Sequence, residues 1–264
     1  MATVGWWLIF RRSALLLIIF LVVFVTYINS PVMTGSDARW IIPTAISIIN
    51  KGSIELDDYY ERINDNNIGI VTINNHYYNY FPYGTAVIAV PFVWIISWFV
   101  NDATIIQCHS MYERLIASFI LAFTAVIIYL IACLDLKPRY ALLVVFIFAF
   151  CTSAWSQASR ELYQHGPSML MLTLSLYLIL RADRQPWLIQ YIGALLAMAY
   201  VIRPTNSLSL LCFSLFVFLY TAFSFWVNYR GAVRWEVYLW NVNPVSVDSK
   251  PSRIWDWQDI QFLR

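Results

Sequence analysis

Five residues of this chain have the types and spacing to do chemistry together: Asp37, Arg160, Glu161, His165 and Arg203. A carboxylate such as Asp37 can take a proton from an attacking hydroxyl or ligate a divalent metal ion through hard oxygen. His165 can donate to a phosphate, bind a metal or relay a proton, because imidazole titrates near neutrality. Arg203 is followed by helix-breaking Pro204 and by Thr205 and Asn206 as capping residues, a place from which a guanidinium could grip a phosphate with two parallel donors. Arg160 and Glu161 stand within five positions of His165 in "SRELYQHGPSM" (159–169), between two hydrophobic runs. Each residue has a plainer reading: a solvated charge at a helix mouth, a structural histidine, or an arginine reaching for lipid headgroups. What favours the chemical reading is convergence on one side of a membrane, and that depends on how the chain is threaded.

The chain is 60% hydrophobic and 12% charged, against about 25% charged in soluble domains. This composition describes a polytopic membrane protein. Hydrophobic runs lie at 13–29, 83–100, 115–134, 140–157, 167–180, 187–202 and 205–227, and a spanning helix needs about 20 apolar residues. The first run follows Arg11 and Arg12 and has no small-residue cleavage site close behind it, so it reads as a retained span. If all seven runs cross from a cytoplasmic N-terminus, Arg11, Arg12, Arg114, Arg160 and Arg203 lie inside and Lys137, Arg139, Arg181, Arg184, Arg230 and Arg234 outside. That is no positive-inside bias. If the 83–100 run, with Pro91 in it, dips into or lies along the outer leaflet, the short-loop count becomes eight cations inside against Arg114, Arg160 and Arg203 outside, the long external loop at 30–82 with Arg39, Lys51 and Arg62 being left out of it. Trp94 and Trp98, four apart, suit an interfacial helix.

The reading is therefore all-α, with about six transmembrane helices plus outer-leaflet interfacial helices. A transmembrane domain covers 1–227, including an external region with interfacial helices over 30–111, and an aromatic-rich tail covers 228–264. The N-terminus is cytoplasmic, and Asp37, Arg160, Glu161, His165 and Arg203 share the outer face. Arg11, Arg12, Arg181 and Arg184 serve orientation alone. The acidic stretch "ELDDYYER" (55–62) matches no EF-hand spacing and reads as a solvated loop surface. His76 with Tyr77, Tyr78, Tyr80 and Tyr83 could stack on a sugar, though interface anchoring explains them better. The four cysteines form no CxxC pair and read as small apolar fillers. No basic run suggests nucleic acid.

The stretches "GSDARWIIPTAISIINKGSIELDD", "YNYFPYGTAVIAVPF", "SRELYQHGPSMLMLTLSLYL" and "YVIRPTNSL", with the tail "WNVNPVSVDSKPSRIWDWQDIQFLR", resemble in order parts of bacterial membrane proteins related to the GT-C glycosyltransferases. Those enzymes use polyprenyl-phosphate-linked sugars, as protein mannosyltransferases and the aminoarabinose transferases of lipid A do. The resemblance implies a multi-pass protein of the bacterial inner (plasma) membrane, with the lipid bilayer and a polyprenyl-phosphate-linked sugar donor as partners. It implies Asp37 as catalytic base or as contact to a divalent metal ion, the one cofactor expected. His165 falls where the family places a polar external residue. Such enzymes run to about twice this length, so the resemblance also admits a shortened, non-catalytic relative that binds lipid phosphate or a partner. A small-solute transporter would need paired broken helices in two similar halves, and only the segment around Pro82–Pro91 qualifies.

Overall fold

The structure, a computed structural model, describes residues 2–30, 37–62, 69–182 and 185–239. In chain order the helices are α1 (Ala2–Ile28), α2 (Ile41–Lys51), α3 (Gly84–Ser97), α4 (Asp102–Gln107), α5 (His109–Ala132), α6 (Pro138–Phe150), α7 (His165–Ala182), α8 (Ile189–Ile202) and α9 (Ser207–Leu239). A two-stranded antiparallel hairpin, β1 (Ile70–Ile73) with β2 (His76–Asn79), stands between α2 and α3.

Among the described residues, three stretches are long and apolar enough to cross a bilayer: Arg11–Ile28, His109–Ala132 and Pro204–Phe223. The other apolar runs fold into shorter pieces. The run at 140–157 is broken: α6 stops at Phe150, Thr152 donates its hydroxyl proton to the Phe148 carbonyl, and a single π turn follows over Ala154–Ala158. At 1.5 Å per residue, the 13 residues of α6 reach about 20 Å, short of the roughly 30 Å hydrocarbon core. The 14 residues of α8 and the 14 of α3 reach about 21 Å each. α7 has 18 residues but carries Ser168, Thr173, Ser175 and Arg181 along its length. What stands is a mostly helical protein with three candidate membrane-crossing helices.

The chain divides into two units, residues 1–209 and 210–264. In the first, α5 is the central post. Its small residues Ala117, Ser118, Ala122 and Ala125 are fully buried, which lets neighbouring backbones come close where lipid gives no hydrophobic drive to association. One core cluster joins α5 to α1 and α6 through Ile19, Val23, Tyr27, Leu121, Ala141 and Val145. Within it the Tyr27 hydroxyl donates to the Ala149 carbonyl at 2.7 Å, satisfying a buried group that hydrocarbon could not. The other cluster joins α5 to the short helices α2, α3, α4, α7 and α8 through Ile42, Ile46, Ala89, Val93, Ile105, Ile120, Met171 and Ile202.

The region expected to hold interfacial helices contains α2, α3 and α4 and, unforeseen, the hairpin. α2 ends on Gly52 at φ +65°, whose N–H reaches back to the Ile48 carbonyl, the left-handed helix stop that glycine adopts without strain. α3 continues through Pro91, with Trp94 and Trp98 packed edge to face on its exposed side. The hairpin turns at Asn74 and Asn75, both at positive φ (52° and 65°), the geometry that matches strand twist in a two-residue loop.

In the second unit, α9 runs on from Leu210 with Leu211, Leu215, Phe218 and Phe223 all exposed. The tail expected from 228 continues this helix to Leu239, and its residues 240–264, Trp240, Trp255 and Trp257 among them, lie outside the described residues, as does Arg184. The cysteines are free thiols, and Cys108, Cys151 and Cys212 lie on the surface rather than filling the core.

Candidate functional site

Four separate segments meet around a cavity of about 130 Å³ lined by Asp37, Ile41, Phe81, Pro82, Tyr163, Gln164, His165 and Arg203. Each polar member is placed by a local feature of the sequence. In "DARW", Ala38 and Trp40 are buried and Asp37 and Arg39 exposed; the turn is thus anchored by its second and fourth residues and leaves Asp37 accessible just before α2. Arg39 lies over the Trp40 ring at 5.4 Å.

Arg203 owes its position to Pro204. Proline disfavours helical backbone in the residue before it, and Arg203 is extended at φ −146°, ψ 107°, ending α8. The chain restarts in a 3₁₀ turn, Pro204–Asn206, whose Asn206 is buried and donates both to the Ser168 hydroxyl (2.7 Å) and to the Ala199 carbonyl (2.7 Å). Asn206 therefore ties the end of α8 to the first turn of α7, where His165 stands. The result is direct contact: an Arg203 Nη1–H donates to His165 Nδ1 at 2.9 Å.

That contact settles the imidazole's state. A guanidinium has no lone pair to accept with, so Nδ1 must be unprotonated and the proton of the neutral ring sits on Nε2. Burial first, and then the charge of Arg203, hold the His165 pKa below its ordinary value. His165 lies at the first residue of α7, outside the three candidate crossing stretches. It is thus a neutral Nε2–H donor, with the Arg203 cation beside it.

The apolar wall depends on glycine. A Cβ at Gly84 would stand 2.5 Å from the Ile202 backbone nitrogen and 2.6 Å from its Cα, so only glycine lets the start of α3 press against the end of α8 and bring Pro82 beside Arg203. At the rim, a Cβ on Gly69 (φ +88°) would meet the Phe81 ring at 3.1 Å.

Of the five residues singled out in the sequence, the structure brings Asp37, His165 and Arg203 together. Arg160 and Glu161 are buried instead, and neither lines the cavity. Arg160 Nε donates to the Trp155 carbonyl at 3.3 Å, and the Glu161 carbonyl accepts from Tyr163 N–H at 2.8 Å. They shape the turn leading into α7. The sequence reading missed Phe81, Pro82, Tyr163 and Gln164 as lining residues; "FP" following an aromatic strand and "YQ" directly before His165 were the available signals. Among the described residues, Asp37 belongs to no group of three potential metal ligands; that arrangement occurs at Glu55, Asp57 and His76.

Comparison with family models, curated proteins and solved structures finds no match to this chain.

Proposed function

We propose that this chain is a membrane glycosyltransferase that moves a sugar from a polyprenyl-phosphate carrier to an acceptor hydroxyl at the outer face of a bacterial inner membrane, with the N-terminus cytoplasmic and with the apolar runs at 140–157, 167–180 and 187–202 crossing as well. The observation that supports this reading is the shared cavity of Asp37, His165 and Arg203, residues from three distant parts of the chain that positive-inside counting puts on one face. Asp37 takes the acceptor's proton as its oxygen attacks the anomeric carbon, and the bond from that carbon to the phosphate oxygen breaks. Negative charge grows on the departing lipid phosphate, where Arg203 and the Nε2–H of His165 stabilise it.

The size of the cavity favours a second reading. About 130 Å³ is small beside the roughly 300–1,000 Å³ of pockets for whole small-molecule ligands, and it suits a phosphate headgroup held without chemistry by a non-catalytic relative. Asp37→Asn separates the two. Transfer predicts that turnover of a labelled polyprenyl-phosphate sugar falls by about 10²–10⁴-fold while lipid-phosphate binding persists. Unchanged turnover removes the role assigned to Asp37, and absence of turnover in the unaltered protein leaves the binding reading.

A further inference from the structure

Glu55, Asp57 and His76 are not among the cavity's lining residues: Glu55 precedes and Asp57 opens a 3₁₀ turn, Asp57–Arg62, His76 starts β2, and their ligand atoms all fall within 4.8 Å of one another. We propose that these three side chains form a binding site for a divalent ion of the zinc type, and that the ion staples the hairpin whose end supplies the cavity wall. The donor set is mixed, one imidazole nitrogen and two carboxylates. Imidazole suits zinc, and three protein ligands plus water make the open form of a zinc site. At ligand distances of about 2.0–2.2 Å, two donors on a tetrahedral zinc stand about 3.3–3.6 Å apart, so the three side chains close in from their 4.8 Å spread by rotating about their own bonds.

The backbone holds the donors in place without the ion. Leu56, between the two carboxylates, is fully buried, and its N–H donates to the Tyr77 carbonyl at 2.8 Å while Glu55 and Tyr78 form a β-bridge. Asp57 Oδ1 accepts from Tyr77 N–H at 2.8 Å, and Oδ2 pairs with His76 Nδ1 at 2.5 Å. The Glu55 carboxylate accepts a long contact from the Tyr78 hydroxyl, 3.3 Å. The neighbouring Asp58 is already paired with Lys51, so two close carboxylates share one imidazole. A dication bound to the neutral imidazole would balance the two carboxylates.

There is also a structural need. A lone two-stranded hairpin is marginal in water, and this one has strands of four residues each. It leads within two residues into Phe81 and Pro82 of the cavity wall. A metal cross-link from β2 to the segment after α2 fixes that wall.

The test is titration of the purified full chain in detergent with Zn²⁺ alone, with no sugar donor present, so that its failure is distinct from failure of the transfer reading. One ion per chain is expected. His76→Gln and Asp57→Asn each weaken binding at least about tenfold, and Lys51→Gln, which removes a neighbouring cation and no ligand, changes it less than about twofold. Co²⁺ in place of Zn²⁺ shows ligand-field bands without thiolate charge transfer. Circular dichroism verifies each variant, and Glu55→Gln replaces any that does not fold. Lack of stoichiometric zinc, binding that survives the ligand substitutions, a cobalt–thiolate band, or Ca²⁺ binding as tightly as Zn²⁺ overturns the proposal.

Discussion

His165 and His76 are the same side chain in opposite circumstances. His165 is partly buried with a guanidinium donating to its Nδ1, and its pKa is lowered by burial and by Arg203. His76 is exposed with the Asp57 carboxylate against its Nδ1, and its pKa is raised by that hydrogen bond and by the charge behind it. One ring is held toward its neutral form, the other toward its protonated one. The contrast extends to assembly. The cavity needs residues 37, 81, 163 and 203 to meet through packed helices, whereas the hairpin cluster is made within the 22 residues from Glu55 to His76. Damage to long-range packing should reach the first and spare the second.

The largest effect on packing is expected from Gly84→Ala. The added methyl cannot stand 2.5 Å from the Ile202 nitrogen, so α3 shifts from α8 at a cost of about 1–3 kcal/mol, read as a lower Tm. Zinc binding at the hairpin should stay at the unaltered value. Equal loss at both sites would erase the distinction between long-range and local assembly.

Next in size is the separation of the two histidines in pH. With only three histidines in the chain, ring-carbon NMR in chelator should show His76 titrating above 6.5 and His165 below it. Asp57→Asn should bring His76 down toward 6.5, and Arg203→Gln should bring His165 up. The linkage signs are opposite. The contribution of the His76 pair to stability is full below about pH 6.5 and is lost as pH rises through its raised folded value; that of neutral His165 is full above about pH 6.5 and is lost as pH falls through its lowered one. The smallest effect belongs to Lys51→Gln: both partners of Lys51–Asp58 are about half exposed, and such a pair contributes about 0–1 kcal/mol, so Tm should barely move.

Much of the cavity was legible because its polar members announce themselves. Asp37, His165 and Arg203 are ionisable groups set between apolar runs. Pro204 after Arg203 was readable as the break that displays it. Less visible were the parts that depend on shape. Arg160 and Glu161 looked like site residues by type and spacing, yet a π turn over Ala154–Ala158 carries them into the interior; no hydrophobic periodicity encodes a π turn. Helix lengths were equally hard to read, since the length of the apolar run at 140–157 does not reveal that α6 stops at Phe150. The hairpin did leave a signal, "INNHYY", in which two asparagines supply positive φ between β-forming residues. An all-helical expectation passed over it, and with it the pairing of Asp57 and His76.

The most direct test of the central claim, that Asp37 and Arg203 act on one substrate in one cavity, is a double-mutant cycle on transfer from labelled polyprenyl-phosphate sugar, using Asp37→Asn, Arg203→Gln and the pair. The account predicts that each single change costs about 100-fold or more and that the double change costs little beyond the worse single one. Losses that multiply, or a single change that leaves turnover intact, would contradict it.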